Sequence, residues 1–279
     1  MTSLDQSTTT LVPTALGRLN VRLVGSGPPA LLWHSMFVDS TSWQRVEPQL
    51  TAHRRLILVD GPSSGGSDPL RRAADIGACA EAASEVIDRL RPSIGADPLD
   101  WVGSAWGGHV GLHLAATRPE LIRSLVAISA PTHPINAGQR RQIKVLVPLY
   151  RVIGPRGPVL SAILDTLLTE HTRATDPDGV RLLTDPLRRA RRLDMARAIQ
   201  TAILNRTDLA WAATTIERPV LFVTTDDRGE WTPEAARAMA AQMPDATEVT
   251  VPGSRVLPSI EQPELLVEAI TRFWRDRVD

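Results

Sequence analysis

The sequence predicts an α/β protein: a mostly parallel, doubly wound sheet with a helical segment inserted before its last strands. Three observations carry that prediction. Short apolar runs alternate with amphipathic helical patterns along most of the chain. One interval, 133–214, breaks the alternation and keeps only helical spacing. The length, 279 residues, suits a single α/β unit with such an insertion.

Taken in order, the N-terminal MTSLDQSTTT is polar, with neither the basic start nor the apolar stretch of a secretory leader. Strand-like runs follow at 21–24, 30–34, 56–59, 99–103, 125–129, 220–225 and 248–251. Helical patterns separate them at 44–52, 75–90, 107–117, 233–242 and 263–275. Thr232-Pro233-Glu234 and Gln262-Pro263-Glu264 read as helix starts, with proline in the first turn and an acid at the positive end of the helix dipole. Between 133 and 214 the punctuation is dense (Pro148, Gly154, Pro155, Gly157, Pro158), and apolar residues recur at helical spacing over 159–168 and 195–204. The expected organisation is a core of 1–132 with 215–279, and an inserted helical unit of 133–214. Arg188, Arg189, Arg191 and Arg192 read as a solvated helix face more readily than as an anion site.

Composition narrows the partners. Basic and acidic residues number 31 each, so no nucleic acid is expected to bind. No run of about eighteen apolar residues exists, so no membrane span or membrane partner is expected. Cys79 is the only cysteine, which suits a reducing cytoplasm. His109 and His113 are four apart on a predicted helix but lack a third ligand, so no metal and no cofactor is expected.

The most informative segment is Trp101-Val102-Gly103-Ser104-Ala105-Trp106-Gly107-Gly108. It has the G-x-S-x-G spacing in which a strand turns sharply into a helix and pushes the central side chain into a pocket. The central residue here is Ala105, and a methyl group attacks nothing. A frame shifted to Ser104 would put Val102 and Trp106 where strand and helix nearly touch, and neither is small enough.

From about Leu19 onward the chain resembles the α/β-hydrolase superfamily. Leu31-Leu32-Trp33-His34-Ser35-Met36-Phe37 is similar to the strand ending in His-Gly that opens the oxyanion loop, with Ser35 in place of glycine. Asp60-Gly61-Pro62-Ser63-Ser64-Gly65-Gly66-Ser67-Asp68 looks like the D-x-P-G-x-G-x-S-D turn. The stretch from Pro219 to Asp227, followed by Trp231-Thr232-Pro233, is similar to the acid-bearing strand end. Val251-Pro252-Gly253-Ser254-Arg255-Val256-Leu257-Pro258, followed by Glu261-Gln262-Pro263, looks like the histidine loop. In that loop the catalytic histidine position holds Val256. Of the triad that the resemblance implies, only the acid remains, at Asp227 or its neighbour Asp226. The A-W-G-G run looks like the D-W-G-G elbow of haloalkane dehalogenases and epoxide hydrolases, with alanine for aspartate. There the tryptophan's indole N–H binds the leaving halide; a plain pocket wall is the other reading of Trp106.

The resemblance also implies a helical cap closing a mostly apolar pocket, and an oxyanion hole built from the backbone amides of Trp106 and the Ser35–Met36 stretch. Pocket-lining residues are therefore expected at Ser35, Met36, Ala105, Trp106, His133 and Val256. Asp227, with no histidine to pair with, is expected to act as a general base or acid, or else to survive as a structural residue. His34 is a second catalytic candidate. The expected function is that of an atypical enzyme, non-hydrolytic or non-covalent, acting on an apolar small molecule through the backbone donors and Asp227. A ligand-binding pseudoenzyme and an ordinary hydrolase with an altered site are the alternatives.

Overall fold

The computed structural model describes residues 7–279, so the first six residues of the N-terminal reading lie outside it. Eight strands form one sheet: β1 (Thr8–Thr14), β2 (Gly17–Val24), β3 (Pro29–Trp33), β4 (Arg55–Val59), β5 (Leu99–Ser104), β6 (Ile122–Ile128), β7 (Val220–Thr225) and β8 (Ala246–Val251). Their spatial order is β1-β2-β4-β3-β5-β6-β7-β8. The β1–β2 and β2–β4 pairs are antiparallel, and every pair from β4 to β8 is parallel.

The apolar runs follow from that topology. A parallel strand covered by helices on both faces must be apolar on both. On β3, Leu31 and Trp33 join the core on one side of the sheet, and Ala30 and Leu32 the core on the other. Ile57 and Val59 oppose Leu56 and Leu58 on β4 in the same way. Asp100 on β5 breaks the rule at zero exposure. It is tolerated because Arg54 Nε (2.7 Å), Arg123 Nε (2.9 Å) and Ser124 Oγ (2.7 Å) all donate to it. The strand β1 carried no readable signal. It is an edge strand whose residues are nearly all exposed, so nothing selects for apolar alternation.

Helices α1 (Glu47–Leu50), α2 (Ile76–Ile94) and α3 (Trp106–Thr117) connect the central strands. Between β6 and β7 lie α4 (Ala137–Ile153), α5 (Gly157–Leu167), α6 (Glu170–Thr175), α7 (Pro177–Arg189), α8 (Arg192–Ile199), a π-helical turn at Gln200–Leu204, and α9 (Ala210–Thr215). The chain ends with α10 (Pro233–Ala240), α11 (Pro258–Glu261) and α12 (Pro263–Arg277). Among the described residues no helix is long and apolar enough to cross a membrane.

The turn from β5 into α3 is the tightest crossing in the molecule. A Cβ on Gly103 would lie 2.2 Å from the Gly107 carbonyl carbon, and one on Gly107 would lie 2.1 Å from the Trp33 carbonyl oxygen. Ala105, between them, has φ 44° and ψ −100°, and its amide donates to the Ile128 carbonyl at 2.7 Å.

Gly107→Ala is accordingly predicted to destabilise the fold by at least about 3 kcal/mol, since backbone and not a flexible side chain blocks the new methyl. Urea unfolding measures it. A midpoint equal to wild type would show that strand and helix can part, and would end the close-crossing argument.

Candidate active site

The C-terminal ends of the parallel strands open into a cavity of about 910 Å³. Its floor is Ser35, Met36 and Phe37 after β3, Ala105 and Trp106 after β5, and Ser129 after β6. Helices α4 and α5 supply much of its roof, with Ile143, Leu146, Val159 and Ile163 among the lining residues. Val256, from the loop after β8, closes one side. Four lining residues other than glycine have left-handed backbones: Phe37 (φ 75°), Ala105 (44°), Ser129 (48°) and Arg228 (54°). Each such conformation costs about 1–3 kcal/mol, and strain concentrated around one cavity marks a functional location.

Met36 and Trp106, the residues that would supply the backbone donors, both line the cavity. Trp106 opens α3, so its N–H has no carbonyl one turn back to bond. The first bond of that helix runs from the His109 amide to the Ala105 carbonyl at 3.0 Å. Among the described residues neither the Trp106 nor the Met36 amide donates to a backbone acceptor outside regular structure.

The Trp106 side chain is elsewhere. Its ring packs at right angles to Trp33 (5.7 Å) and against His34 (5.8 Å), at 1% exposure. The indole N–H makes no hydrogen bond, and it lies near enough to Cys79 to bear on that thiol's ionisation, which burial pushes up. Trp106 thus offers the cavity its amide, and the halide-type indole donor that the resemblance suggested is turned into the core.

The expectation that Asp227 is left without a partner does not hold. Arg255 donates to its Oδ2 through Nε (3.1 Å) and Nη2 (2.7 Å). The same guanidinium reaches the Asp165 carbonyl on α5, and the Val256 amide donates to the Leu167 carbonyl at 3.4 Å. Glu261 completes the tie, accepting from the Thr169 amide (2.7 Å) and from the Arg255 amide (2.8 Å). Asp226, the alternative acid, accepts from the Gly253 amide at 2.8 Å. The loop that holds the base in the resembled family here fastens the core to the helices above it.

His34 has no free nitrogen. Its Nε2 accepts from the Gly61 amide at 2.8 Å, so the proton sits on Nδ1 and is donated to the Ser35 carbonyl at 2.6 Å. That pairing holds the oxyanion loop and leaves no lone pair for proton transfer. His133 does not line the cavity. It is exposed, tilted against Trp231 at 5.9 Å and 4.0 Å from Glu230, both of which do line it.

Sequence reasoning passed over His109, Arg206 and Glu230, all of which line the cavity. Arg206 donates to Glu230 at 2.5 Å, joining the end of the helical segment to the loop after β7. His109 donates from Nε2 to the Pro131 carbonyl at 3.1 Å and keeps Nδ1 unpartnered. Burial, reinforced by the charge of Arg206, holds its imidazole well below the ordinary histidine range. The i, i+4 spacing with His113 drew attention to metal binding, whereas the structure sets His113 against Trp211.

A roofed cavity at the strand ends, behind a strained strand-to-helix turn, defines a hydrolase-type architecture. The chain belongs to the Alpha/beta hydrolase family, whose profile matches residues 30–269. Over 268 residues it is 29% identical to the pimeloyl-(acyl-carrier protein) methyl ester esterase of Xanthomonas campestris pv. campestris, covering 91% of this chain and 98% of that one. It is 28% identical to the 2-(acetamidomethylene)succinate hydrolase of Mesorhizobium japonicum, covering 91% of both chains. Among solved structures, a thermophilic esterase from Thermogutta terrifontis superposes with a TM-score of 0.86 at 21% identity, covering 98% of this chain and 100% of that one. An enol-lactonase from Burkholderia xenovorans LB400 superposes at 0.85 with 17% identity, covering 96% and 100%. At those identities the structural likeness speaks for the fold alone.

His109 generates a pH prediction. Its folded pKa is lowered, so as pH falls below 6.5 the unfolded chain takes up a proton that the folded chain refuses. Its contribution to stability is therefore complete above 6.5 and is lost progressively below it, at up to about 1.4 kcal/mol per pH unit. Denaturant unfolding of wild type and His109→Gln between neutral and mildly acidic pH reads this directly. A wild-type slope no steeper than the variant's would refute it.

Proposed function

We propose that this chain is a non-covalent member of its family. It takes a small, largely apolar molecule into the cavity, holds a carbonyl or enolate oxygen of it against the Trp106 and Met36 amides, and forms no bond to it. The observation that carries this reading is an open cavity over an alanine tip. The amides remain aimed where charge would develop, while no hydroxyl, carboxylate or thiol stands at 105 to attack. Such donors can each stabilise an oxyanion by about 3–4 kcal/mol.

Within this reading, binding is better supported than turnover. Asp227 is occupied by Arg255 and His34 by backbone, so the acid–base groups expected from sequence are engaged. An atypical enzyme would draw on His109, whose Nδ1 is the unpartnered imidazole nitrogen in the lining. A cytoplasmic location is proposed on the single cysteine alone. The division into a core of 1–132 with 215–279 and a cap of 133–214 is proposed on the same footing. The activity of the esterase relatives favours a second reading, an ordinary ester hydrolase. That reading needs a nucleophile at 105 and a base at 256.

Two tests separate these readings. The purified protein is expected to leave p-nitrophenyl esters unhydrolysed and to take no label from a fluorophosphonate; labelling of any pocket serine would establish the hydrolase. Ala105→Ser with Val256→His is expected to stay inactive, because Arg255 still occupies the acid. Adding Arg255→Gly should raise activity by about 10³-fold or more, the scale on which the triad acid acts. Equal activity of the double and triple variants would show that the Arg255 pair is irrelevant.

Binding is tested at the tip itself. Native mass spectrometry of the purified protein should find a small molecule retained by wild type. Ala105→Leu should abolish that retention while the melting temperature stays within a few degrees, since the tip faces the cavity. Unchanged retention in Ala105→Leu would move the functional surface elsewhere.

A further inference from the structure

Helix α4 turns outward a face that nothing among the described residues covers. Val145 is 66% exposed, Leu149 40% and Val152 70%. Spacings of four and three residues put them on one stripe, while Val147 and Tyr150 pack inward. Arg141, Lys144 and Arg151 are exposed beside the stripe, and among the described residues none of them has an ion-pair partner. The helix contains no acidic residue. Arg156, just beyond it, is likewise exposed and unpaired.

The stripe runs into the cavity mouth. Val145 and Leu149 line the cavity as well as facing solvent, and so do Pro158 and Ala162 of α5. The acids in the lining, Asp165 and Glu230, are each held by an arginine, Arg173 and Arg206 respectively. The exposed lining thus sets Val145, Leu149, Pro158 and Ala162 beside Arg141, Gln142 and Thr166, and the cations of α4 are not neutralised.

We infer that α4 docks on a lipid bilayer bearing anionic headgroups, with the cavity mouth turned toward the acyl region. An apolar ligand then passes between membrane and cavity without crossing water. The purpose rests on the apolar-ligand reading above; the docking surface does not. Charge selects the occupant. The whole chain is net neutral, yet this helix carries Arg140, Arg141, Lys144 and Arg151 against no acid. A second copy docking symmetrically would bring those cations against themselves. An exposed apolar stripe flanked by arginine and lysine is the composition of a helix that lies in a lipid interface. The absence of a spanning segment is no obstacle, since a helix lying on the surface needs none.

The test is sedimentation with vesicles of phosphatidylcholine alone and of phosphatidylcholine mixed with phosphatidylserine. Wild type should bind the mixed vesicles, and less so at high salt. Lys144→Glu with Arg151→Glu, and separately Val145→Ser with Val152→Ser, should each weaken binding by about five- to ten-fold. The melting temperature should not move, because all four side chains are exposed. Lys144 is the only lysine, so its protection from acetylation by mixed vesicles is an unambiguous second readout. Absence of binding to either vesicle, or binding indifferent to both pairs, would overturn the inference. So would a solution dimer that the valine pair dissolves, which would assign the stripe to a second copy. Ligand retention in the vesicle-free protein is expected to survive the Lys144 and Arg151 pair, since neither residue lines the cavity. Its absence from wild type would count against the proposed function and leave the docking result standing.

Discussion

Everything that faces the cavity depends on the contact of Gly103 with Gly107. With no Cβ on Gly103, β5 and α3 approach to backbone distance, and with none on Gly107, α3 settles against the Trp33 carbonyl of β3; Ala105 between them takes a left-handed conformation. Its side chain is delivered to the cavity floor whatever that side chain is. The Trp106 amide is delivered with it, because the helix must begin there. The geometry of the site is thus a property of main chain and glycine, and it persists around an alanine without chemical help from position 105.

The second determinant is the loop after β8. A carboxylate that would steer an imidazole in the resembled family instead grips a guanidinium, and that guanidinium extends to α5. Giving up water costs both partners, but the Arg255 guanidinium, 8% exposed, would be left as an uncompensated buried charge without this carboxylate, which holds the pair together. Position 256, where the resemblance places a histidine, is accordingly built into the wall. Val256 adds apolar wall, and its neighbour Arg255 converts the acid from a reacting group to an anchor.

The sheet was legible in the sequence because burial on both faces leaves an unbroken apolar run, as in Leu31–Leu32–Trp33 and Leu56–Val59. The elbow and the loop after β8 were legible because their glycines and prolines answer to local backbone geometry. What escaped was set by partners far along the chain. Arg255 looked like any loop residue, since nothing near it says that its side chain will find Asp227 and the Asp165 carbonyl. His109 was weighed against His113, one turn away, while its environment comes from Pro131 and Arg206. The Trp106 ring was ambiguous for the same reason: Trp33 and His34 decide its direction. The strand β1, exposed along nearly all its length, had no pattern to read.

The bonds from Arg255, Val256 and Glu261 all land within a few residues of the junction between α5 and α6. On the opposite margin α4 packs chiefly on α5, α8 and the π-helical turn, all members of the same inserted segment. The α5–α6 junction is bonded directly to the loop after β8, whereas α4 reaches the core through α8 and the π-helical turn, where Arg197 donates to the Leu70 carbonyl and Thr201 accepts from the Ala74 amide. A motion that admitted or released a guest would then have its widest travel at α4. Exchange rates should then be governed by how α4 is held, and equilibrium affinity by the floor at Ala105, which makes the two separately adjustable in one small protein.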